Sequence, residues 1–325
     1  RLCILSRGPQ LYSPRRLVNE ADAAGMIVEI VDPLETSLIL DDRNGQVIYQ
    51  GWPLDADAVI PRIGYSVTNE GVRVVRQFER MGVYVANSAD AILRSRDKLT
   101  ASQILSQKGI PVPKTALVTS WKDVERAISR VGGVPCIVKT SQGTQGDGVF
   151  LIRSIRQAKE MVYRLIAERK TVLVQEYIKE SHGKDIRVIV VGGEVVASMR
   201  RVSNGREFRS NFHLGGRVER IELSEEYAKV AVDAANHLGI DVGGVDLLEG
   251  RMGPILLEVN SSPGLEGIEK ASGVNVAGHI IKMIDKRHKI QSVNLDDIVR
   301  RRVGFGTITV VLNIWPQFIG RTIAE

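Results

Sequence analysis

The chain has 325 residues, of which 25% are charged and 43% hydrophobic, and it carries a net charge of +6. That is the composition of an ordinary globular protein with room for two or three domains and a large core, not of a disordered or fibrous one. The positive balance favours acidic partners such as nucleotides and carboxylates, while the dispersal of Lys and Arg along the chain argues against direct nucleic-acid binding.

No run of 18 apolar residues occurs, so no membrane-spanning helix and no membrane partner are expected. The two cysteines, Cys3 and Cys136, each sit beside β-branched or leucine residues and read as buried thiols rather than a disulfide. With no signal-peptide pattern after Arg1, the expected location is cytoplasmic, although the missing Met allows for trimmed residues.

In chain order, residues 2–5 read as a strand, 14–24 as a helix, 27–31 and 58–63 as strands, 70–81 as a helix and 83–86 as a strand. This alternation predicts a small α/β domain with a parallel sheet over residues 1–95. No G-x-G-x-x-G follows the first strand, so a dinucleotide is not expected there. Ser6, Arg7 and Arg62 fall at strand ends, where open α/β sheets bind ligands. For Arg62, contact with a substrate carboxylate and a plain surface arginine carry equal weight.

A helix is expected over 96–109 and a linker over 110–113. A buried strand over 135–139 then ends in Lys139. The loop SQGTQGDG at 141–148 leads into a strand at 149–152, a helix at 156–169 and a strand at 172–177. Two β-rich runs, 185–191 and 194–199, meet at Gly192-Gly193, a hairpin signal. Helices are expected at 225–238 and 274–287. Beyond 287 the chain contains Arg300-Arg301-Arg302 and an apolar run at 303–315, for which either a β-prone extension or a disordered end is expected.

Two stretches carry chemistry. Lys139 closes its strand just before Gly143, Gly146 and Gly148, whose lack of Cβ lets backbone N–H groups approach phosphate oxygens. The stretch GGVDLLEGRMGPILLEVNSSPGLEG at 243–267 reads as two apolar strands around a turn at 249–253. Asp246 lies on one strand and Glu258 and Asn260 on the other; strand alternation puts Glu258 and Asn260 on one face and turns Val259 away. Three oxygen donors in an apolar setting, with no Cys or His, suit Mg²⁺ or Mn²⁺ rather than zinc. No Walker motif, kinase catalytic loop or G-x-S-x-G elbow is present, and the five histidines lack metal spacing.

VDLL and LEVNSSPGLEGIE resemble the metal-binding end of the ATP-grasp ligases, and of the RimK group in particular; the likeness runs from LCILSR to about Asp285. The resemblance implies an α/β ATP-grasp fold with an N-terminal Rossmann-like pre-ATP-grasp domain. The division expected is 1–95 for that domain, 96–179 for a small lobe with the glycine-rich loop, 180–287 for a large lobe with the metal site, and 288–325 for a divergent tail. It also implies a ligase that joins L-glutamate to a carboxylate, typically the C-terminus of a ribosomal small-subunit protein, using ATP and two Mg²⁺ or Mn²⁺ ions, in a homo-oligomer that is tetrameric by that likeness.

By position, Glu176 and Tyr177 match the segment at the adenine edge, Asp185 a nucleotide-binding position, and Arg209, Ser210 and Asn211 the segment facing the phosphates. Asp246, Glu258 and Asn260 match the metal ligands, Glu258 bridging two ions. Lys98 is assigned to the nucleotide, and Lys139, Arg187, Arg200 and Arg209 to catalysis. A small-molecule glutamate ligase and a non-catalytic ATP-binding regulatory protein stand as alternatives.

Overall fold

The computed structural model describes residues 1–41, 45–141, 148–203, 208 and 216–291. It opens with β1 (Leu2–Leu5), α1 (Tyr12–Ala23) and β2 (Val28–Val31). A small antiparallel meander follows, β3 (Thr36–Ile39), β4 (Gln46–Tyr49) and β5 (Trp52–Pro53), and then β6 (Ala58–Pro61), α2 (Thr68–Arg80) and β7 (Tyr84–Val85). The main sheet runs β2-β1-β6-β7 and is parallel throughout. All four residues of β1 are buried, as a strand covered on both faces requires. The meander was not anticipated, because its strands are short and only partly apolar. The strand expected over 58–63 stops at Pro61; the Arg62 N–H instead donates to the Leu5 carbonyl at 2.8 Å.

Residues 96–109, expected as one helix, belong to two: α3 (Ala89–Arg96) and α4 (Lys98–Gln107). The break is made by Asp97, whose carboxylate accepts the N–H groups of Leu99 at 2.9 Å and Thr100 at 3.0 Å and so caps α4. Gly109, at φ +75°, ends the segment as expected.

Next come β8 (Thr115–Val118), α5 (Val124–Arg130), β9 (Cys136–Thr140), β10 (Val149–Ile152), α6 (Ile155–Ala167) and β11 (Val172–Glu176). They form an antiparallel sheet ordered β10-β9-β11-β8. Cys136, Val138, Val172 and Val174 pack on one side with residues of α5 and α6. Alternation therefore sends Lys139, Leu173 and Gln175 to the other side.

The third sheet is built from β12 (Lys184–Val191), β13 (Glu194–Val202), β14 (Arg217–Arg220), β15 (Val242–Gly250) and β16 (Gly253–Asn260), with α7 (Glu225–Leu238) inserted before β15. Its order is β14-β13-β12-β15-β16, and α8 (Glu266–Ser272) and α9 (Val276–Gln291) complete the described fold. One face, with Ile186, Val188, Val245, Leu247 and Val259, packs on Ala231, Ala234, Ala235 and Leu238 of α7. On the other face Ile189, Val191, Ala197 and Met199 share a core with α8, α9 and the first sheet. Past Ile189 this second face becomes charged.

Asn87 ties the first sheet to the start of β15 and the residue after β16. Its amide donates to the carbonyls of Val242 at 2.8 Å and Ser261 at 2.9 Å and accepts from the N–H groups of Asp241 at 2.7 Å and Val242 at 2.8 Å. Cys3 and Cys136 are buried free thiols, and no helix among the described residues is long and apolar enough to cross a membrane.

Candidate active site

Two β-bulges set the site. Gly192 and Gly193, at φ +63° and +88°, make the expected hairpin turn between β12 and β13. The pairing then slips by one: Val190 faces Val195, but Ile189 faces Ala197. An unbroken count would put Arg200 opposite Asp185; the bulge puts Arg201 there and Arg200 opposite Ile186. In the β15–β16 hairpin Leu247 faces Leu256, whereas Asp246 faces Glu258 and Gly244 faces Asn260. That second bulge leaves Leu257 without a cross-strand partner and brings Asp246, Glu258 and Asn260 to one face. The turn itself is shorter than expected, because the strands run on to Gly250 and resume at Gly253.

The face so formed is a lattice of charge. Arg187 donates from Nε and Nη2 to the two oxygens of Asp246, both at 2.7 Å. Arg201 donates from Nη2 to Asp246 at 2.7 Å and grips Asp185 through Nε at 2.6 Å and Nη2 at 2.5 Å. Asp185, Arg201 and Asp246 are all buried. Burial works to raise the pKa of Asp246, but Arg187 and Arg201 outweigh it and hold the carboxyl below its usual range. For Arg201, burial works downward and the two aspartates reverse it.

Glu258, directly across from Asp246, behaves oppositely. Burial first, and the Asp246 charge second, push its pKa up; Lys98, Arg187 and Lys139 pull it down without cancelling the rise. Among the described residues it accepts no hydrogen bond. Asn260 turns its Oδ1 to the Ser262 N–H at 2.9 Å, which leaves a lone pair on that oxygen.

The opposing wall comes from β9 and β11. Lys139 is buried and donates to Gln175 Oε1 at 2.9 Å, and Gln175 Nε2 donates in turn to Thr115 Oγ1 at 2.7 Å. Burial, aided by repulsion from Lys98, pushes the Lys139 pKa down to about 8, with Glu258 opposing. Lys98, on the first turn of α4, is also lowered by burial, with Glu258 and Asp97 opposing. Gly148 closes the β9–β10 hairpin at φ +73°, where a Cβ would lie 2.7 Å from Thr140 Oγ1. The Glu176 N–H donates to the Lys114 carbonyl and the Glu176 carboxylate accepts from the Lys114 N–H, while the Tyr177 hydroxyl meets the His182 ring, both at the passage from the second sheet to the third. Gly143, Gly146, Arg209, Ser210 and Asn211 lie outside the described residues.

The structure thus brings Lys98, Lys139, Arg187, Asp185, Asp246, Glu258 and Asn260 to one cleft and leaves Arg200 out. Arg200 is on the opposite sheet face, paired with Glu249 at 2.7 Å. Arg201, Gln175 and Asn87 were missed. The Arg200-Arg201 pair in the sequence signalled that one of the two arginines faces inward, but not which.

Among the described residues no cluster of three or more His, Cys, Asp or Glu could hold a metal alone. Two carboxylates and an amide do fit a hard divalent cation that takes its other ligands from phosphate oxygens and water. Glu258, facing Asp246 across the hairpin with no hydrogen-bond donor among the described residues, is the observation that favours such a cation.

A lysine-bearing antiparallel sheet with a glycine-closed hairpin, set against a sheet that carries facing carboxylates, defines an ATP-grasp cleft. The sequence models of two domains match the chain: the RimK PreATP-grasp domain over residues 1–92 and the RimK-like ATP-grasp domain over residues 95–284. The chain belongs to the RimK family and is an ATP-dependent carboxylate–amine ligase.

A protein of Rhodopirellula baltica named "Probable alpha-L-glutamate ligase" is 44% identical over 326 residues, covering 100% of this chain and 80% of that one, so the alignment includes the residues after 287. A protein of the same name from Aeromonas salmonicida is 49% identical over 286 residues, 88% of this chain and 96% of its own. In fold, the chain is similar to the ATP-grasp ligase PsnB complexed with a minimal precursor (TM-score 0.70, 23% identity, 88% of this chain and 97% of that one). It is also similar to a RimK domain protein of Sphaerobacter thermophilus (TM-score 0.67, 21% identity, 87% and 99% covered).

Proposed function

We propose that this ligase adds L-glutamate to the C-terminal carboxylate of a ribosomal small-subunit protein, as a cytoplasmic homo-oligomer, with ATP and two Mg²⁺ or Mn²⁺ ions. The observation that carries the donor is the 44% and 49% identity to proteins named as glutamate ligases. The acceptor rests on the RimK resemblance.

A carboxylate and an amine do not condense until a carboxylate oxygen becomes a leaving group. The acceptor carboxylate attacks the γ-phosphorus of ATP, an O–P bond forms, and ADP departs. The glutamate amine then attacks the acyl carbon, the C–O bond to phosphate breaks, inorganic phosphate leaves and the amine loses a proton. Divalent ions, when bound by Asp246, Glu258 and Asn260, would offset charge on the transferring phosphoryl group.

In this reading Lys139 and Lys98 hold phosphate oxygens from the small-lobe side, and Gly143, Gly146 and Gly148 let the loop close over them. Arg187 and Arg201 keep Asp246 ionised and aimed, while Arg209, Ser210 and Asn211 face the phosphates. The adenine lies at Glu176 and Tyr177. The proposed division is 1–95, 96–179 and 180–287, with residues after 287 apart. Because the product again ends in a carboxylate, repeated addition is chemically open.

The test is intact-mass analysis of the acceptor after incubation with ATP, Mg²⁺ and L-glutamate. The expected result is a ladder of glutamyl increments. Glutamate-dependent ADP formation with a small-molecule carboxylate, and none with the protein, would overturn the acceptor.

A further inference from the structure

Arg62 follows Pro61 at the C-terminal end of β6, next to the end of β1. β1 pairs with β2 on one side and with β6 on the other, so the crevice where ligands settle in open parallel sheets lies between Leu5 and Arg62. The end of the third sheet is fastened against this crevice. Arg62 Nη2 donates to the Pro263 carbonyl at 2.7 Å, and Ser262 Oγ donates to the Pro61 carbonyl at 3.3 Å. Pro263 is three residues past Asn260, so their Cα atoms are at most about 11 Å apart.

Among the described residues the arginines of the third sheet are otherwise engaged. Arg187 and Arg201 are engaged by Asp246 and Asp185, and Arg200 by Glu249 on the far face. Arg96, a neighbour in the first unit of the chain, spends its guanidinium on Ile63, Gly64 and Thr68. Arg62 has five N–H donors and uses one of them among the described residues, with no carboxylate partner there. It is half-buried, so it is not sealed from solvent. Burial without a counter-charge lowers its pKa to about 10, the behaviour of a cation short of an anion.

We propose that Arg62 binds an unreacting carboxylate of the incoming glutamate, fixing its amine beside the activated acyl group. This rests on the reading of the chain as a glutamate ligase. The acceptor carboxylate loses its charge when it is phosphorylated and needs no lasting counter-ion. The donor's two carboxylates stay ionised throughout and need a guanidinium not already held by aspartate or glutamate. A bidentate arginine–carboxylate pair supplies that cation together with a defined orientation.

The test separates donor binding from activation. Hydroxylamine attacks an acylphosphate, forming the hydroxamate and expelling phosphate, and it carries no carboxylate. Arg62→Ala should raise the KM for L-glutamate about 10- to 100-fold, the loss of one charge-assisted contact. ATP- and acceptor-dependent hydroxamate formation should fall far less, and Arg62→Lys, which retains a donor for the Pro263 carbonyl, should lie between. Equal loss of both reactions makes Arg62 a structural pin and overturns the proposal, as does a rise in acceptor KM with glutamate KM unmoved. If the wild-type protein forms hydroxamate but never couples glutamate, the glutamate-ligase reading fails independently of Arg62.

Discussion

The two bulged hairpins of the third sheet point charge into the same cleft and handle it differently. In β12–β13 the extra residue turns Arg201 inward, where Asp185, Arg201, Asp246 and Arg187 neutralise one another through bonds of 2.5–2.7 Å. In β15–β16 the extra residue turns Glu258 inward, beside Asp246 and without a hydrogen-bonding partner among the described residues. With Asp246 supplied by β15, the first hairpin builds a charge-balanced lattice, and the second adds the negative charge of Glu258 beside it. The difference separates a charge-balanced scaffold from the position that, in the proposed reading, a divalent cation would complete.

The largest effect is expected at Asp246, which sits on β15 and is held by arginines of β12 and β13. Asp246→Asn leaves Arg187 and Arg201 with an uncompensated buried charge. It should lower unfolding stability by about 3–5 kcal/mol and nearly abolish turnover; urea denaturation and an ADP-release assay read the two effects.

The small-lobe cation comes next. Lys139→Ala should weaken ATP binding by about 2–3 kcal/mol, as loss of a charged donor in a closed site does. Its pKa near 8 in the folded protein, below the unfolded 10.5, gives a pH signature. Holding the buried ammonium charged costs stability below pH 8, and the cost is relieved as pH rises from 8 towards 10.5. Phosphate favours the charged form, so wild-type ATP affinity should decline as pH rises through 8, by calorimetry, and Lys139→Ala should lack that decline.

The smallest effect sharpens the parity of the first bulge. Arg200→Ala removes a partly exposed ion pair on the wrong face and should cost under about 1 kcal/mol with turnover little changed. Arg201→Ala should behave like Asp246→Asn. Similar turnover for the two arginine variants would contradict the register.

The Lys139 strand, the Gly192-Gly193 turn and the Asp246–Asn260 hairpin were legible because apolar periodicity and glycine pairs report local geometry. The two bulges were not. Nothing about Val196 or Leu257 in the sequence marks either as the extra residue, yet a one-residue slip decides which arginine faces the cleft and whether Asp246 meets Glu258. The Asp97 cap was readable in principle, since an Asp before a helix is an N-cap signal, but the apolar pattern running through it suggested continuity. The hold of Asn87 on Val242 and Ser261 joins residues more than 150 positions apart, which no local pattern encodes.

The central claim is that Glu258 awaits positive charge from a bound ligand. Its pKa is raised in the folded protein, so wild-type stability falls as pH rises above the unfolded value of 4.5. The most direct measurement is urea unfolding of Glu258→Gln against wild type at pH 7, without metal or nucleotide. The variant should be at least as stable as wild type although its turnover is lost. A loss of more than about 1 kcal/mol, the ordinary cost of a disruptive substitution, would show that Glu258 is already compensated within the protein and contradict the account.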